Sequence, residues 1–210
     1  MGWGTWAIIF LILLLVTPAA QIGVGWGRRQ RARRKLERAR GTRVVPIILG
    51  LETVATYGVP IARFEQLPLP GEVVAAISAT PEDLPVDVVI DMPADLRFDA
   101  GPVAAALRER ESPTTVFVPL RALTAGLTLA RAADRVVLAP DAVIADTRRV
   151  PASASGATAG GLHPDDLRRL GLTVEEGIPT DVEHYTGHFS EPSRPVHRLP
   201  FYIHVPRTVR

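Results

Sequence analysis

Val86-Asp87-Val88-Val89-Ile90, then Asp99 to Arg110, then Thr114-Thr115-Val116-Phe117-Val118 is the stretch that decides the fold. Each flanking run is short, rich in β-branched residues and almost continuously apolar, the pattern of a strand covered on both faces. The middle segment places Val103 and Leu107 on one helical face, and Asp99 stands at its N-cap. Strand, helix and strand with short turns predict a parallel β–α–β unit.

The same grammar extends in both directions. Upstream, Val44-Val45-Pro46-Ile47-Ile48-Leu49 reads as a buried strand, and Pro46 points to an edge position. Gly58 to Phe64 reads as a turn and a second strand, Leu67 to Pro70 as a loop, and Gly71 to Thr80 as a short helix closed by Pro81. Downstream, Leu123 to Ala133 predicts a small-residue helix, Arg135 to Leu138 a strand, and Ala142 to Ile144 a shorter one. The chain is therefore expected to be α/β with a largely parallel sheet. Val150 to Gly161 is Pro, Ala, Ser, Gly and Thr, the composition of a flexible connection. His163 to Leu170 suggests one more helix. After Pro179 the chain is dotted with prolines, holds four of the five histidines, and reads as an extended tail.

Composition narrows the function. With 210 residues, 47% hydrophobic and 22% charged, the chain is globular and not disordered or collagenous. It has no cysteine, which removes thiol nucleophiles, thiolate zinc sites and disulfides. Its single lysine is Lys35. The net charge of +2 conceals a split: residues 1–43 carry nine Lys/Arg against Glu37 alone, and the remainder carries fifteen Arg against twenty-one acidic residues. The mildly acidic folded part is not expected to bind nucleic acid.

From Trp3 to Trp26 no residue is charged, a length of about 36 Å as a helix against a hydrocarbon core of about 30 Å. Trp3, Trp6 and Trp26 fall where interfacial aromatics belong. Thr17-Pro18-Ala19-Ala20 faintly resembles a cleavage site. A secretory signal, however, has its positive charge before the apolar run, and here the dense block from Arg28 to Arg43 follows it. The expectation is a single-pass membrane anchor with the N-terminus outside and the rest cytoplasmic, residues 1–43 meeting membrane lipid. The segments are then residues 1–26 (anchor), 27–43 (basic juxtamembrane segment), 44–150 (α/β domain), 151–161 (connection) and 162–210 (C-terminal helix and tail).

Glu52-Thr53 with Gly58 to Phe64, Val86 to Pro93, Val116 to Pro119 running into Leu123–Ala133, Ala133 to Leu138 with Asp141 to Ile144, Thr173 to Pro179, and Tyr202 to Pro206 together resemble the serine dehydrogenase proteinase family. These are membrane-anchored, Clp-fold (crotonase-like) serine proteinases. The resemblance implies repeated β–β–α units after a membrane helix, and association into trimers or rings, as a homo-oligomer or with a related protein. It also implies a peptide ligand. The family's His-Thr-Pro-Gly-Gly oxyanion turn here reads Asp91-Met92-Pro93-Ala94-Asp95. Its Met-Ser-Gly-Gly-Thr helix start here reads Leu123-Thr124-Ala125-Gly126-Leu127, so Thr124 takes the nucleophile's place. Its Gly-Pro-Val-Asp-Pro-Gln segment falls near Ala145 to Val150 and is not kept.

Those departures bear on chemistry. Acyl transfer needs an activated nucleophile, a base and donors aimed at the oxyanion. Thr124 supplies a hydroxyl, with a methyl that stiffens χ1; a packing or capping role serves it equally. Lys35 lies outside the domain pattern, and His163, His184, His188, His197 and His204 all lie in the connection or tail. The His184/His188 spacing suits a metal pair on a helix, but Gly187 argues for solvated tail histidines. Ala94 and Asp95 replace the two glycines of the oxyanion turn. A carboxylate about 4 Å from an oxyanion costs roughly 4 kcal/mol at an effective dielectric of 20, on the order of a thousandfold in rate. The sequence thus predicts a Clp-like scaffold with impaired chemistry, no cofactor and no metal. The alternatives are a Thr124 peptidase or acyl-transfer hydrolase, and an acyl- or peptide-binding pocket without turnover.

Overall fold

In the computed structural model, backbone is described for residues 3–48, 50–56, 59–92, 98–146 and 161–189, and side chains for Trp6, 23–48, 67–92, 98–146 and 161–189. The predicted unit is present: β4 (Val86–Asp91), α3 (Ala100–Arg108) and β5 (Thr114–Val118), with β4 and β5 parallel and Val88 opposite Val116. Asp99 is the N-cap, its carboxylate accepting from the Gly101 N–H at 3.1 Å.

Around this unit a five-stranded parallel sheet runs β1 (Arg43–Ile48), β4, β5, β7 (Arg135–Leu138), β9 (Val174–Glu176). β1 is the edge strand that Pro46 predicted. An antiparallel hairpin, β2 (Gly50–Thr56) with β3 (Val59–Gln66), precedes α2 (Pro70–Ser78); β2 lies in a stretch for which the segment reading gave no strand. β6 (Arg121–Ala122) and β8 (Val143–Ile144) pair in parallel as a small second sheet. The order β5–β6–α4 (Thr124–Ala130) and β7–β8 before α5 (Pro164–Arg169) is a β–β–α repeat. Helix α4 is shorter at its C-terminal end than Leu123–Ala133, closing at Arg131.

Alternation divides the strands between two layers. Val86, Val88, Ile90, Val116, Val118, Val136 and Leu138 pack with α2, α3, α4 and α5 on one face. Val44, Ile48, Val89, Phe117 and Val137 pack on the other against α1 (Trp3–Arg40) and α6 (Thr180–Thr186). Asp87 belongs by alternation to this second face and is buried. Its Oδ2 accepts from Arg40 Nε at 2.6 Å and Thr42 Oγ1 at 2.8 Å, and the Arg40 guanidinium lies 4.7 Å from the Phe117 ring centroid. A buried carboxylate in a strand is tolerable only when so partnered.

Helix α6 corrects the expectation of an extended tail after Pro179. Pro179 supplies the N-cap, Asp181 and Glu183 stand in the first turn, and Val182 and Tyr185 are buried against α1 and the sheet. Two apolar residues in seven carry too little periodicity to announce a helix; burial supplies the stability. Arg29 clasps the end of this segment, its guanidinium 5.1 Å from the Phe189 ring centroid. The connection at Val150–Gly161 falls almost entirely outside the described residues, as do Tyr202 to Pro206. Helix α1 is continuous over 38 residues, about 57 Å. Among the described residues no helix is long and apolar enough to cross a membrane; the side chains of residues 7–22 are outside that set.

Candidate functional site

A parallel sheet gathers the C-terminal ends of its strands at one rim, where α/β proteins bind ligands. Here β4 ends in Asp91 and runs on to Met92, whose N–H donates to the Arg121 carbonyl at 2.8 Å and which bridges to Ala122. Two residues later Thr124 opens α4. The rim therefore carries Asp91 with Arg121 nearby, and Thr124 at the start of α4. Helix α4 is pressed hard onto it: a Cβ built on Gly126 would lie 2.6 Å from the Ala122 Cβ, with Ile90 and Met92 also in contact. That glycine is where the family motif also has one, and its role here is close helix–strand approach.

Thr124 is half-buried. Leu123 takes the N-cap without a side-chain hydrogen bond, so Thr124 is a first-turn residue and not the cap; its carbonyl accepts from Thr128 Oγ1 at 3.1 Å. Ala94 and Asp95, the oxyanion-turn positions, lie outside the described residues.

Asp91 is the residue that sequence reasoning passed over. It was visible as the first member of the degenerate turn, directly after an apolar strand run. Its Oδ1 is buried without a hydrogen-bond partner among the described residues. Burial pushes its carboxyl above the usual range, opposed by the nearby Arg121 guanidinium and a backbone hydrogen bond from Arg121.

Three of the other candidate bases are elsewhere. Lys35 on α1 and His184 and His188 at α6 lie on the α1/α6 face, across the sheet from α4. His184 and His188 are exposed, but they stand on and just after helix α6 and not on an extended tail as the sequence suggested; with Lys35 they line a cleft of about 330 Å³ between α1 and α6, their rings 5.2 Å apart and edge-to-face. His163 is the N-cap of α5, its Nδ1 accepting from the Asp165 N–H at 3.4 Å. His197 and His204 are outside the described residues. Among the described residues no group of three or more His, Asp or Glu is placed to hold a metal.

The family model for ClpP-like SDH-type serine proteinases matches residues 4–154. Two uncharacterized proteins of Methanocaldococcus jannaschii are similar. One is 35% identical over 136 residues, 65% of this chain and 47% of that protein. The other is 30% identical over 139 residues, 66% and 48% respectively. The chain spans about half the length of the curated relatives it matches. Among solved structures, an enoyl-CoA hydratase from Mycobacterium avium subsp. paratuberculosis aligns over 70% of this chain and 77% of its own, at 15% identity and a TM-score of 0.41. The transcarboxylase 12S hexamer aligns over 73% and 39%, at 14% identity and a TM-score of 0.40. The chain belongs to the ClpP-like SDH-type serine proteinase family.

Proposed function

We infer that this family member is a membrane-tethered, cytosol-facing protein whose peptidase chemistry is impaired, and that it serves as a scaffold in an oligomer with itself or with an active relative. The observation that carries the reading is the sheet itself. It stands between Thr124 on α4 and the cleft that holds Lys35, His184 and His188, so none of these three is in reach to take a proton from Thr124. The substitutions Ala94 and Asp95 in the oxyanion turn act in the same direction. Tethering is supported by the uncharged run Trp3–Trp26, the basic block after it, and the continuity of α1 through both.

One observation favours a second reading. Asp91 stands at the end of β4 on the same rim as Thr124, with a buried oxygen that has no hydrogen-bond partner among the described residues. For a carboxylate there to accept the Thr124 proton while the hydroxyl oxygen attacks a peptide carbonyl, and to return that proton to the leaving amine, the Asp91 side chain must turn onto the α4 side from the Asp87/Val89 face to which alternation assigns it.

The test is hydrolysis of casein and a broad peptide panel by the full chain in mild detergent, beside Thr124→Ala and Asp91→Asn. No cleavage above blank by any of the three is expected. Cleavage by the wild type that Thr124→Ala abolishes overturns the impaired reading, and a parallel loss in Asp91→Asn assigns the base. Sedimentation in the same detergent tests the scaffold: a monomer at micromolar concentration overturns self-association.

A further inference from the structure

The cleft between α1 and α6 has no part in the rim chemistry, yet it is built with a distinct character. Arg28, Arg31 and Lys35 lie at i, i+3 and i+7 and therefore share one face of α1. All three are exposed, and none has an ion-pair partner among the described residues. The acids nearby are committed: Glu37 to Arg33 at 3.8 Å and Arg43 at 3.3 Å, and Asp181 to Arg40 at 3.8 Å. Below the cations the floor is apolar, with Leu36 and Tyr185 buried in it. His184 and His188 close the far wall. A groove with uncompensated positive charge over hydrocarbon fits a ligand that is anionic at one end and apolar at the other.

Its position names the source. Arg28 comes two residues after Trp26, the end of the uncharged run, and α1 is one continuous helix through both. A lipid whose chains lie along the first part of α1 presents its phosphate at Arg28, and Arg31 and Lys35 extend about 10 Å further along the axis.

We propose that the α1/α6 cleft binds the headgroup of an acidic phospholipid, its phosphate held by Arg28, Arg31 and Lys35 and the part of the headgroup beyond the phosphate over Leu36 and Tyr185. The proposal rests on the membrane-tethered reading. The surroundings of His188 agree with it. Burial first, then the charges of His184, Arg28 and Arg29, hold its imidazole below the usual range; an anion in the cleft offsets those charges.

The experiment uses the full chain in detergent micelles, titrated with phosphatidylglycerol or phosphatidylcholine and read by native mass spectrometry. Each cation beside an acidic headgroup is worth roughly fivefold in binding. Arg31→Gln/Lys35→Gln is therefore expected to weaken phosphatidylglycerol binding about 25-fold. Arg34→Gln/Arg38→Gln, which removes two exposed charges of α1 outside the cleft, is expected to change it less than about threefold. Bound phosphatidylglycerol is expected to raise the His188 pKa, followed by NMR, and inorganic phosphate is expected not to displace the lipid. Equal losses in the two double variants, no preference over phosphatidylcholine, or displacement by millimolar phosphate would each overturn the proposal; the last would assign a free-anion site. Flotation with pure phosphatidylcholine vesicles separates the premise. A chain that floats but shows no acidic-lipid preference refutes the cleft and spares the tether. A chain that does not float refutes the tether.

Discussion

The two faces of the central sheet are filled in different ways. The face under α2, α3, α4 and α5 is a continuous apolar layer, covered by helices close in sequence to the strands they cover. The face under α1 and α6 is smaller. It is covered by elements from opposite ends of the described chain, and it includes a buried carboxylate, Asp87, held by Arg40 and Thr42. The first face is stabilised by shape and apolar area, and truncation there leaves a cavity. The second depends on a paired charge, and removing one member strands the other.

The largest effect expected is Arg40→Met. It leaves Asp87 buried with Thr42 alone and removes the cation over Phe117, at a cost of about 3–5 kcal/mol in urea unfolding of the full chain in detergent. Adding Asp87→Leu is expected to restore most of the loss, because a buried pair replaced by apolar residues is nearly neutral. Failure of that rescue would mean that the pair does more than satisfy itself. A matched pair of leucines sharpens the contrast. Leu107→Ala, in α3, should cost about 3 kcal/mol, and Leu36→Ala, in α1, about 2 kcal/mol, because Leu36 borders an existing cleft and its loss opens less new cavity. The reverse order would refute the contrast between the faces. Gly126→Ala comes next, at about 1–2 kcal/mol, since its Cβ would meet Ala122; a neutral result would show that α4 can shift away from the rim.

The smallest effect is Asp91→Asn, and it is dependent on pH. Burial raises the Asp91 carboxyl above its usual value of 3.8. The fold therefore favours the protonated form, and stability is lost as pH rises through the folded-state value. The variant should have a slightly higher Tm than the wild type at pH 7 and no advantage near pH 3. A Tm difference that does not change with pH would remove Asp91 from the account of the rim.

Much of the fold was legible because it is written locally. Val88-Val89-Ile90, Val116-Phe117-Val118 and Val136-Val137-Leu138 announce buried parallel strands, Pro46 announces the edge, and Asp99 announces a helix start. Thr124 was legible as the first turn of α4 for the same reason. Helix α6 was not, since Val182 and Tyr185 are meaningful only against α1. Asp91 looked like a turn residue because burial is not a property of one residue. Nor did the histidines near the C-terminus reveal a wall facing the basic helix.

By itself, then, the sequence determined the alternation of strands and helices, the parallel sheet, and the split of charge between residues 1–43 and the rest. These follow from short-range patterning, which a chain carries wherever it folds. Only the tertiary structure decided the side of the sheet on which each ionisable group lies. That choice pairs Arg40 with Asp87 across 47 positions, sets Lys35 and two histidines apart from Thr124, and buries Asp91 next to Arg121 at the rim. It is made by long-range burial, where a charge must find its partner or change its proton affinity.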